Sequence, residues 1–226
     1  MNGRKVLLVV GSPRGMASTS NSLGDHLMSQ LRERGLATKE LAAYPALADE
    51  KKMAELLAAI DACSLLVLAF PLYVDQLPAP FIDLLRQVAE RRLARQGEAK
   101  QSLAAIVNCG FPETIHCRPA MEIMRVFATQ AGFRFLGCLA LGMGGAVGNR
   151  PLAKAGAIVR HQVKALAQAA DFMAADKEIS TDIIALMGKP MMPRWFYNLV
   201  ADWGWKRAAK KYKTRGRLRD RPYAGS

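Results

Sequence analysis

Residues 5–20 read KVLLVVGSPRGMASTS, an apolar run that breaks at Gly11 into a loop of glycine, hydroxyl residues and one arginine. An uninterrupted run of valine and leucine is typical of a strand that is buried on both faces of a parallel sheet. The loop leads directly into a helix, because Leu23, Leu27 and Leu31 recur every four residues. A buried strand, a polar loop and a helix in this order predict the first unit of an α/β sheet.

The same order of strand and helix repeats along the chain. Further strands are predicted at residues 38–41, 64–70, 103–108 and 135–141, and helices at about 53–60, 78–95, 119–131 and 153–175. Five alternations predict an α/β sandwich with a five-stranded parallel sheet, which we assign to one domain over residues 1–180. Ligands of such sheets bind beyond the carboxyl ends of the strands, so the loops that follow the strands are the candidate sites.

Composition excludes several classes of protein. The chain is 51% hydrophobic and 23% charged, which allows a core and excludes global disorder. Charge-free runs are shorter than the roughly 18 residues of a membrane span, and the first apolar stretch is too short for a signal peptide. The cysteines, Cys63, Cys109, Cys117 and Cys138, lack Cys-x-x-Cys spacing, so no metal site is expected. We expect a soluble protein of the reducing cytoplasm.

Basic charge is concentrated at the end of the chain. Residues 186–226 hold eleven basic and two acidic residues, a net charge of +9, whereas the other 185 residues carry +4. This asymmetry predicts a basic helical extension over residues 181–226. Trp195, Leu199 and Trp203 recur every four residues, which predicts one amphipathic helix over residues 194–212.

Three interpretations of this helix are open. It can dock on its own domain with its basic end solvated, lie in a membrane interface, or contact nucleic acid. The docked interpretation is favoured, because the domain has apolar surface to cover. Nucleic acid is not expected as a partner, since the body of the chain lacks a DNA- or RNA-binding motif.

The first loop, residues 11–22, has the composition of an anion site. Its hydroxyl groups precede a helix start, where backbone N–H groups and the helix dipole favour a phosphate. A helix cap needs only one hydroxyl, so the cluster favours the phosphate over simple capping. The loop matches neither G-x-x-x-x-G-K-[ST] nor G-x-G-x-x-G, which disfavours a nucleoside triphosphate or a Rossmann dinucleotide. The candidate donors are Ser12, Arg14, Ser18, Thr19 and Ser20.

The later loops add aromatic residues, prolines and glycines. Residues 70–81 read FPLYVDQLPAPF, in which prolines stiffen the backbone and Tyr73 offers a platform for a flat ring. Residues 108–117 read NCGFPETIHC and combine glycine, an aromatic ring and polar groups. The glycines of residues 142–148, GMGGAVG, allow a close approach to a ligand or form a flexible connector.

Taken in order, GSPR with the following STS, PLYVDQLPAP and NCGFPE resemble motifs of the flavodoxin-like NAD(P)H-dependent oxidoreductases of the FMN reductase superfamily, over about residues 4–175. The resemblance implies a flavodoxin-like three-layer sandwich with strand order 2-1-3-4-5, FMN as cofactor, and NADPH or NADH as electron donor. It assigns the FMN phosphate to Ser12, Arg14, Ser18, Thr19 and Ser20. It assigns the flavin ring to Pro71, Leu72, Tyr73, Val74, Asn108, Cys109 and Gly110. The close cysteine cluster of the iron–sulfur members is missing, so no cluster is expected.

The implied function is an FMN-dependent NAD(P)H oxidoreductase that passes electrons to a quinone, azo or nitro compound, or to free flavin. The alternative is a flavodoxin-like electron carrier that docks a redox protein. Flavodoxins are usually acidic and this body is mildly basic, which favours the enzyme. Because flavin carries the redox chemistry, no acid–base set is required, and His116 is the candidate proton donor. Cys109 and Cys117 are expected to be packed thiols, with a redox role as the alternative.

The resemblance also implies a homodimer, because related reductases complete the flavin site across a two-fold interface. A stripe of Phe81, Leu84, Leu85 and Val88 follows the second loop and could form such an interface. The same stripe is typical of any helix that faces a core. The other expected partner is a small-molecule electron acceptor, and contact of the C-terminal helix with a membrane surface is the less favoured alternative.

Overall fold

Five parallel strands form one sheet in the order β2-β1-β3-β4-β5 in the computed structural model, which describes residues 4–94 and 101–221. The strands are β1 (Lys5–Val10), β2 (Ala37–Ala42), β3 (Leu65–Pro71), β4 (Ser102–Asn108) and β5 (Arg134–Leu141). Every neighbouring pair is parallel. The predicted sheet and its strand order are confirmed.

Helices cover both faces of the sheet. They are α1 (Thr19–Glu33), α2 (Ala43–Leu47), α3 (Glu50–Ala62), α4 (Ala79–Leu93), α5 (Arg118–Gln130), α6 (Gly144–Val147), α7 (Arg160–Ala174), α8 (Thr181–Met187) and α9 (Arg194–Lys211). Side chains of α1, α7 and α8 share one core cluster with the sheet, and side chains of α2 to α5 share the other. The predicted three-layer sandwich is therefore confirmed. The predicted end of α4 near Arg95 lies outside the described residues.

The apolar runs of the central strands are explained by this double cover. Every residue of β3 and β4 is buried. In β1, Leu7 and Val9 point to one core while Val6 and Leu8 point to the other. Full burial of a valine or leucine side chain contributes about 1.5–3 kcal/mol, so both faces of each central strand stabilise the sheet.

The structure corrects the start of one predicted helix and decides between two interpretations of another. The predicted helix over residues 153–175 begins only at Arg160, after the 3-10 turns Leu152–Lys154 and Gly156–Val159. Gly156 has a φ of 77°, a left-handed conformation that interrupts a right-handed helix. The stripe that begins at Phe81 on α4 is buried in the core, so its core-facing interpretation is correct and it offers no surface for a dimer.

The chain divides into two compact units, Met1–Met191 and Met192–Ser226. The first unit extends beyond the predicted boundary at residue 180, because α8 buries Ile183 and Met187 in the core that it shares with α7. The buried Gln162 amide on α7 donates to the Met187 and Lys189 carbonyl oxygens at 3.2 and 2.6 Å, which holds the end of this segment.

The second unit consists of α9 and a 3-10 turn at Arg215–Arg217. The helix predicted over residues 194–212 corresponds to α9, which ends at Lys211. No helix in the described ranges is long and apolar enough to cross a membrane.

Candidate functional site

The loops that follow β1, β3, β4 and β5 meet at one edge of the sheet. We call residues 11–20, 71–78, 108–117 and 142–151, which include the adjoining ends of β3, β4 and α1, the rim. The Leu72 N–H donates to the Asn108 carbonyl oxygen at 2.8 Å, and the Gly144 N–H donates to the Cys109 carbonyl oxygen at 2.8 Å. These bonds join the second and fourth loops to the third, as expected for the carboxyl ends of adjacent parallel strands.

Two side-chain hydrogen bonds attach the start of α1 to the other loops. The Asn108 Nδ2 group at the end of β4 donates to Ser20 Oγ at 2.8 Å and to the Phe70 carbonyl oxygen at 3.1 Å. Thr19 Oγ1 donates to the Gly144 carbonyl oxygen at 3.1 Å. The first, third and fourth loops are therefore held in one arrangement by buried polar groups.

Ser18 and Thr19 use their hydroxyl hydrogens within the protein. Ser18 is the N-cap of α1, where its Oγ accepts from the Asn21 N–H at 3.2 Å and donates to the Gly15 carbonyl oxygen at 2.6 Å. Thr19 donates to Gly144, as described above. Both hydroxyls therefore build the loop, and any contact that these residues make with a phosphate is expected to use their backbone N–H groups.

Ser12 and Ser20 differ from Ser18 and Thr19 in how their hydroxyl groups are hydrogen-bonded. Ser12 Oγ accepts from the Arg14 N–H at 3.3 Å, and Ser20 Oγ accepts from Asn108. Within the part of the chain that the structure describes, neither hydroxyl has a protein acceptor for its own hydrogen. Both side chains are buried, where a donor without an acceptor is costly. An incoming oxyanion would supply the missing acceptor.

The start of α1, where Ser20 lies, adds positive potential. The first N–H groups of a helix have no partner inside it, and the macrodipole places partial positive charge there. The first turn of α1 holds no acidic residue. Arg14 is exposed in the loop just before it, next to Gly15. Ser12, Ser20, the helix start and Arg14 together have the chemistry of a phosphate site.

The second loop contains a strained turn. Tyr73 and Gln76 bond to each other through both backbone pairs, at 2.8 and 3.0 Å. The two residues between them, Val74 and Asp75, have φ values of 49° and 58°, the signature of a type I′ turn. A β-branched residue in the left-handed region is unusual, and the Val74 side chain is also 95% exposed. Strain of this kind concentrates at functional sites.

The structure brings all the residues predicted for the flavin ring to the rim. Pro71 and Asn108 are register partners on adjacent strands. Pro71, Asn108 and Cys109 are buried, Leu72 is half-buried, and Tyr73, Val74 and Gly110 are exposed. Their contact with a flavin ring stays a prediction.

Cys109 and Cys117 are buried at the base of the third loop, where the Cys109 thiol donates to the Phe111 and Glu113 carbonyl oxygens at 3.6 and 3.7 Å. The neighbouring Cys117 thiol holds the pKa of Cys109 below its ordinary value, although burial opposes it. The neighbouring Cys109 thiol and burial raise the pKa of Cys117. All four cysteines are free thiols, and burial raises the pKa of Cys63 and of Cys138 to about 12. No group of three or more His, Cys, Asp or Glu residues in the described ranges could hold a metal ion.

Sequence reasoning missed one residue of the rim, Phe111. Its ring stacks on His116 with the centroids 4.3 Å apart and the planes inclined by 32°, and its side chain is 50% exposed. The pair forms an aromatic patch in the loop that also holds Cys109 and Gly110. The aromatic residue within NCGFPE was the available signal, but its partner could not be identified from the sequence.

The glycines of the fourth loop allow a close approach to protein backbone. A Cβ atom on Gly142 would lie 2.5 Å from the Pro112 carbonyl oxygen, and one on Gly144 would lie 3.0 Å from the Cys109 carbonyl oxygen. These glycines therefore let the fourth loop pack against the third. The sequence had suggested a close approach to a ligand or a flexible connector for residues 142–148, and neither interpretation describes this packing.

Comparisons with known proteins agree with this architecture. The sequence profile of the flavodoxin-like fold family matches residues 4–169. An NADH:FMN oxidoreductase in its apo form superposes with a TM-score of 0.58 at 14% identity, over 84% of this chain and 97% of that one. The Trp repressor binding protein from Bacillus subtilis gives 0.54 at 16% identity, over 72% and 96%. A flavodoxin from Streptococcus pneumonia TIGR4 gives 0.53 at 15% identity, over 76% and 99%. A comparison with curated proteins gave no match. At these identities the structures show a shared fold.

The strained turn predicts a gain in stability on substitution. Asparagine tolerates the left-handed conformation that costs most other residues roughly 1–2 kcal/mol. Val74→Asn should therefore raise the free energy of unfolding, measured in urea, by about 1 kcal/mol. Val126→Asn, at an exposed position of α5, is the matched control and should give no gain. If the Val74→Asn protein is no more stable than the parent, the claim that the backbone at Val74 is strained is wrong.

Proposed function

The chain belongs to the flavodoxin-like fold family, and from this premise we propose that it is an FMN-dependent oxidoreductase. The proposed electron donor is NADPH or NADH, and the proposed acceptor is a small molecule. The observation that carries the proposal is the pair of buried hydroxyls, Ser12 and Ser20, whose hydrogens have no acceptor among the described residues. The likeness to solved reductases supports the proposal at the level of the fold.

The residues present at the rim fit FMN at its phosphate end. Ser12 and Ser20 would donate to phosphate oxygens, and the first N–H groups of α1 would add backbone donors. Arg14 would contribute charge from the exposed side of the loop. Ser18 and Thr19 would hold the loop in shape through their bonds to Gly15 and Gly144.

The second and third loops fit the ring end. Tyr73 and Val74 are exposed on one side of the rim, while Asn108 and Cys109 form a buried wall at the ends of the strands. A rigid turn with an aromatic platform would orient a flat ring and limit access of water to it. The chemistry that FMN supplies when bound is two-electron transfer from a reduced nicotinamide to an acceptor.

Phe111 and His116 favour flat acceptors. Their stacked rings form an exposed aromatic surface on which a quinone, an azo or nitro arene, or free flavin could lie. We propose His116 as the group that delivers a proton to the reduced acceptor, because imidazole is the side chain that most often transfers protons in enzymes. Cys109 and Cys117 are buried, which favours their role as packed thiols over a redox role.

The compartment proposed for this enzyme is the cytoplasm. Four free cysteines fit a reducing environment. The second candidate function is a flavodoxin-like electron carrier, which shares the fold but uses a protein partner in place of an organic acceptor. The exposed aromatic surface at Phe111 favours the enzyme, because it offers a binding place for a small flat molecule.

Turnover distinguishes the enzyme from the carrier. The purified chain loaded with FMN should oxidise NADPH or NADH when menadione is present, at a rate above about 1 per second. The same chain without FMN is the control and should be inactive. Reduction of the bound flavin without sustained consumption of the nicotinamide would support the carrier and contradict the enzyme.

We also propose that the chain is a homodimer that completes its site at the rim. The buried stripe of α4 does not support this, but the exposed Val74 and Phe111 do, since large exposed apolar groups often mark an interface. Sedimentation at micromolar concentration should give the mass of two chains. Val74→Asp, which places a charge at that surface, should shift the equilibrium toward the monomer. A parent chain that sediments as a monomer would exclude the dimer.

A further inference from the structure

One side of α9 carries apolar residues in the first half of the helix and basic residues in the second half. Successive helical residues advance by about 100°, so Trp195, Leu199 and Trp203 lie within about 80° of one another. Phe196 and Val200 widen this apolar arc to about 140°. In the second half of the helix, the same arc is occupied by Lys206, Arg207 and Lys210, with Lys211 about 20° beyond it. The predicted amphipathic pattern thus holds only for the first half of α9.

The side chains of the apolar arc are exposed. The exposed fractions are 70% for Trp195, 60% for Leu199 and 61% for Trp203. The Trp195 and Phe196 rings contact each other edge to face, with their centroids 5.7 Å apart. The first half of α9 is therefore a continuous apolar surface that its own unit does not cover.

The charge around this surface is strongly positive. Residues 192–226 contain ten basic and two acidic residues, a net charge of +8. The acidic residue of α9, Asp202, is paired with Lys206 at 2.6 Å, and Asp220 is paired with Arg217 at 3.4 Å. Since both acidic groups are paired within the unit, the remaining basic groups present a positive field to any partner.

We propose that the second unit binds the surface of a membrane that contains anionic phospholipids. The apolar arc enters the interfacial region, where the amphipathic indoles of Trp195 and Trp203 are favoured. The basic half of α9 lies at the level of the headgroups and attracts their phosphates, at a distance of about one to four helical turns from the indoles. No part of the helix needs to cross the bilayer.

A nucleic acid fits this surface less well. Sites for single-stranded nucleic acid place aromatic side chains along a basic groove, so that bases stack beside phosphate contacts. In α9 most of the basic side chains follow the aromatic ones along the axis, with the Arg207 guanidinium 5.4 Å from the centroid of the Trp203 ring, and the aliphatic Leu199 and Val200 share the apolar arc. Aliphatic side chains are stable among lipid acyl chains, but they offer no aromatic face on which a base can stack.

The tryptophans make the proposal directly measurable. The chain contains three, Trp195, Trp203 and Trp205, and all lie in α9, so the intrinsic emission of the full chain reports on this helix. Vesicles of phosphatidylcholine with about 30% phosphatidylserine should shift the emission to the blue and carry the chain into the pellet at about 0.15 M salt. Vesicles of phosphatidylcholine alone should bind at least about tenfold more weakly.

Matched variants assign the binding to the arc. Trp195→Ala with Trp203→Ala should weaken vesicle binding at least about tenfold, because the inserted surface is lost. Trp205→Ala removes an indole that points away from the arc and should leave binding within about twofold of the parent. Lys210→Ala with Lys211→Ala should weaken binding to the anionic vesicles about tenfold or more. Circular dichroism of each variant confirms that the helix is retained.

Three results would overturn the proposal. The first is the absence of co-sedimentation with anionic vesicles. The second is an equal loss of vesicle binding in the Trp205 variant and in the Trp195/Trp203 variant. The third is binding to a single-stranded oligonucleotide without binding to vesicles. The first result would restore the interpretation that α9 docks on its own domain. None of these measurements uses flavin, so their outcome is independent of the proposed oxidoreductase function.

Discussion

The arrangement of the rim depends on the buried hydrogen bond between the Asn108 amide and the Ser20 hydroxyl. Asn108 ends β4 and Ser20 lies in the first turn of α1, so the bond fixes the start of the helix against the sheet. A buried amide left without its partner costs about 1–3 kcal/mol, which makes this placement specific. Because Ser20 Oγ accepts from Asn108, its own hydrogen is available to an outside oxygen. This contact thus helps to join the loops and defines a donor of the proposed phosphate site.

Much of the fold follows from the sequence, while the detail of the site depends on distant contacts. Continuous apolar runs such as residues 64–70 mark strands covered on both faces, and the resemblance supplied their order in the sheet. The hydroxyls of residues 12–20 looked equivalent in sequence, but Gly144 and Asn108 determine which of them have a free hydrogen. The left-handed Val74 and the late start of α7 depend on backbone angles that side-chain periodicity does not encode.

The two units correspond to two separate proposals. The first unit holds a rim suited to FMN and a flat acceptor, and the second presents an apolar arc next to basic residues. Membrane attachment would concentrate the proposed oxidoreductase where apolar acceptors such as quinones dissolve. The anionic inner surface of the cell membrane is also reached from the cytoplasm, the compartment that we propose.

The central claim is that Ser12 and Ser20 bind the phosphate of FMN, and an FMN titration followed by quenching of flavin fluorescence tests it most directly. The parent chain should bind one FMN. Since each hydrogen bond to a charged group contributes about 1.5–3 kcal/mol, Ser12→Ala with Ser20→Ala should weaken binding about a hundredfold or more. Ser29→Ala, on the same helix but bonded to the His26 carbonyl oxygen, should leave the affinity unchanged. An unchanged FMN affinity in the double variant, or a parent chain that binds no FMN, would contradict the account.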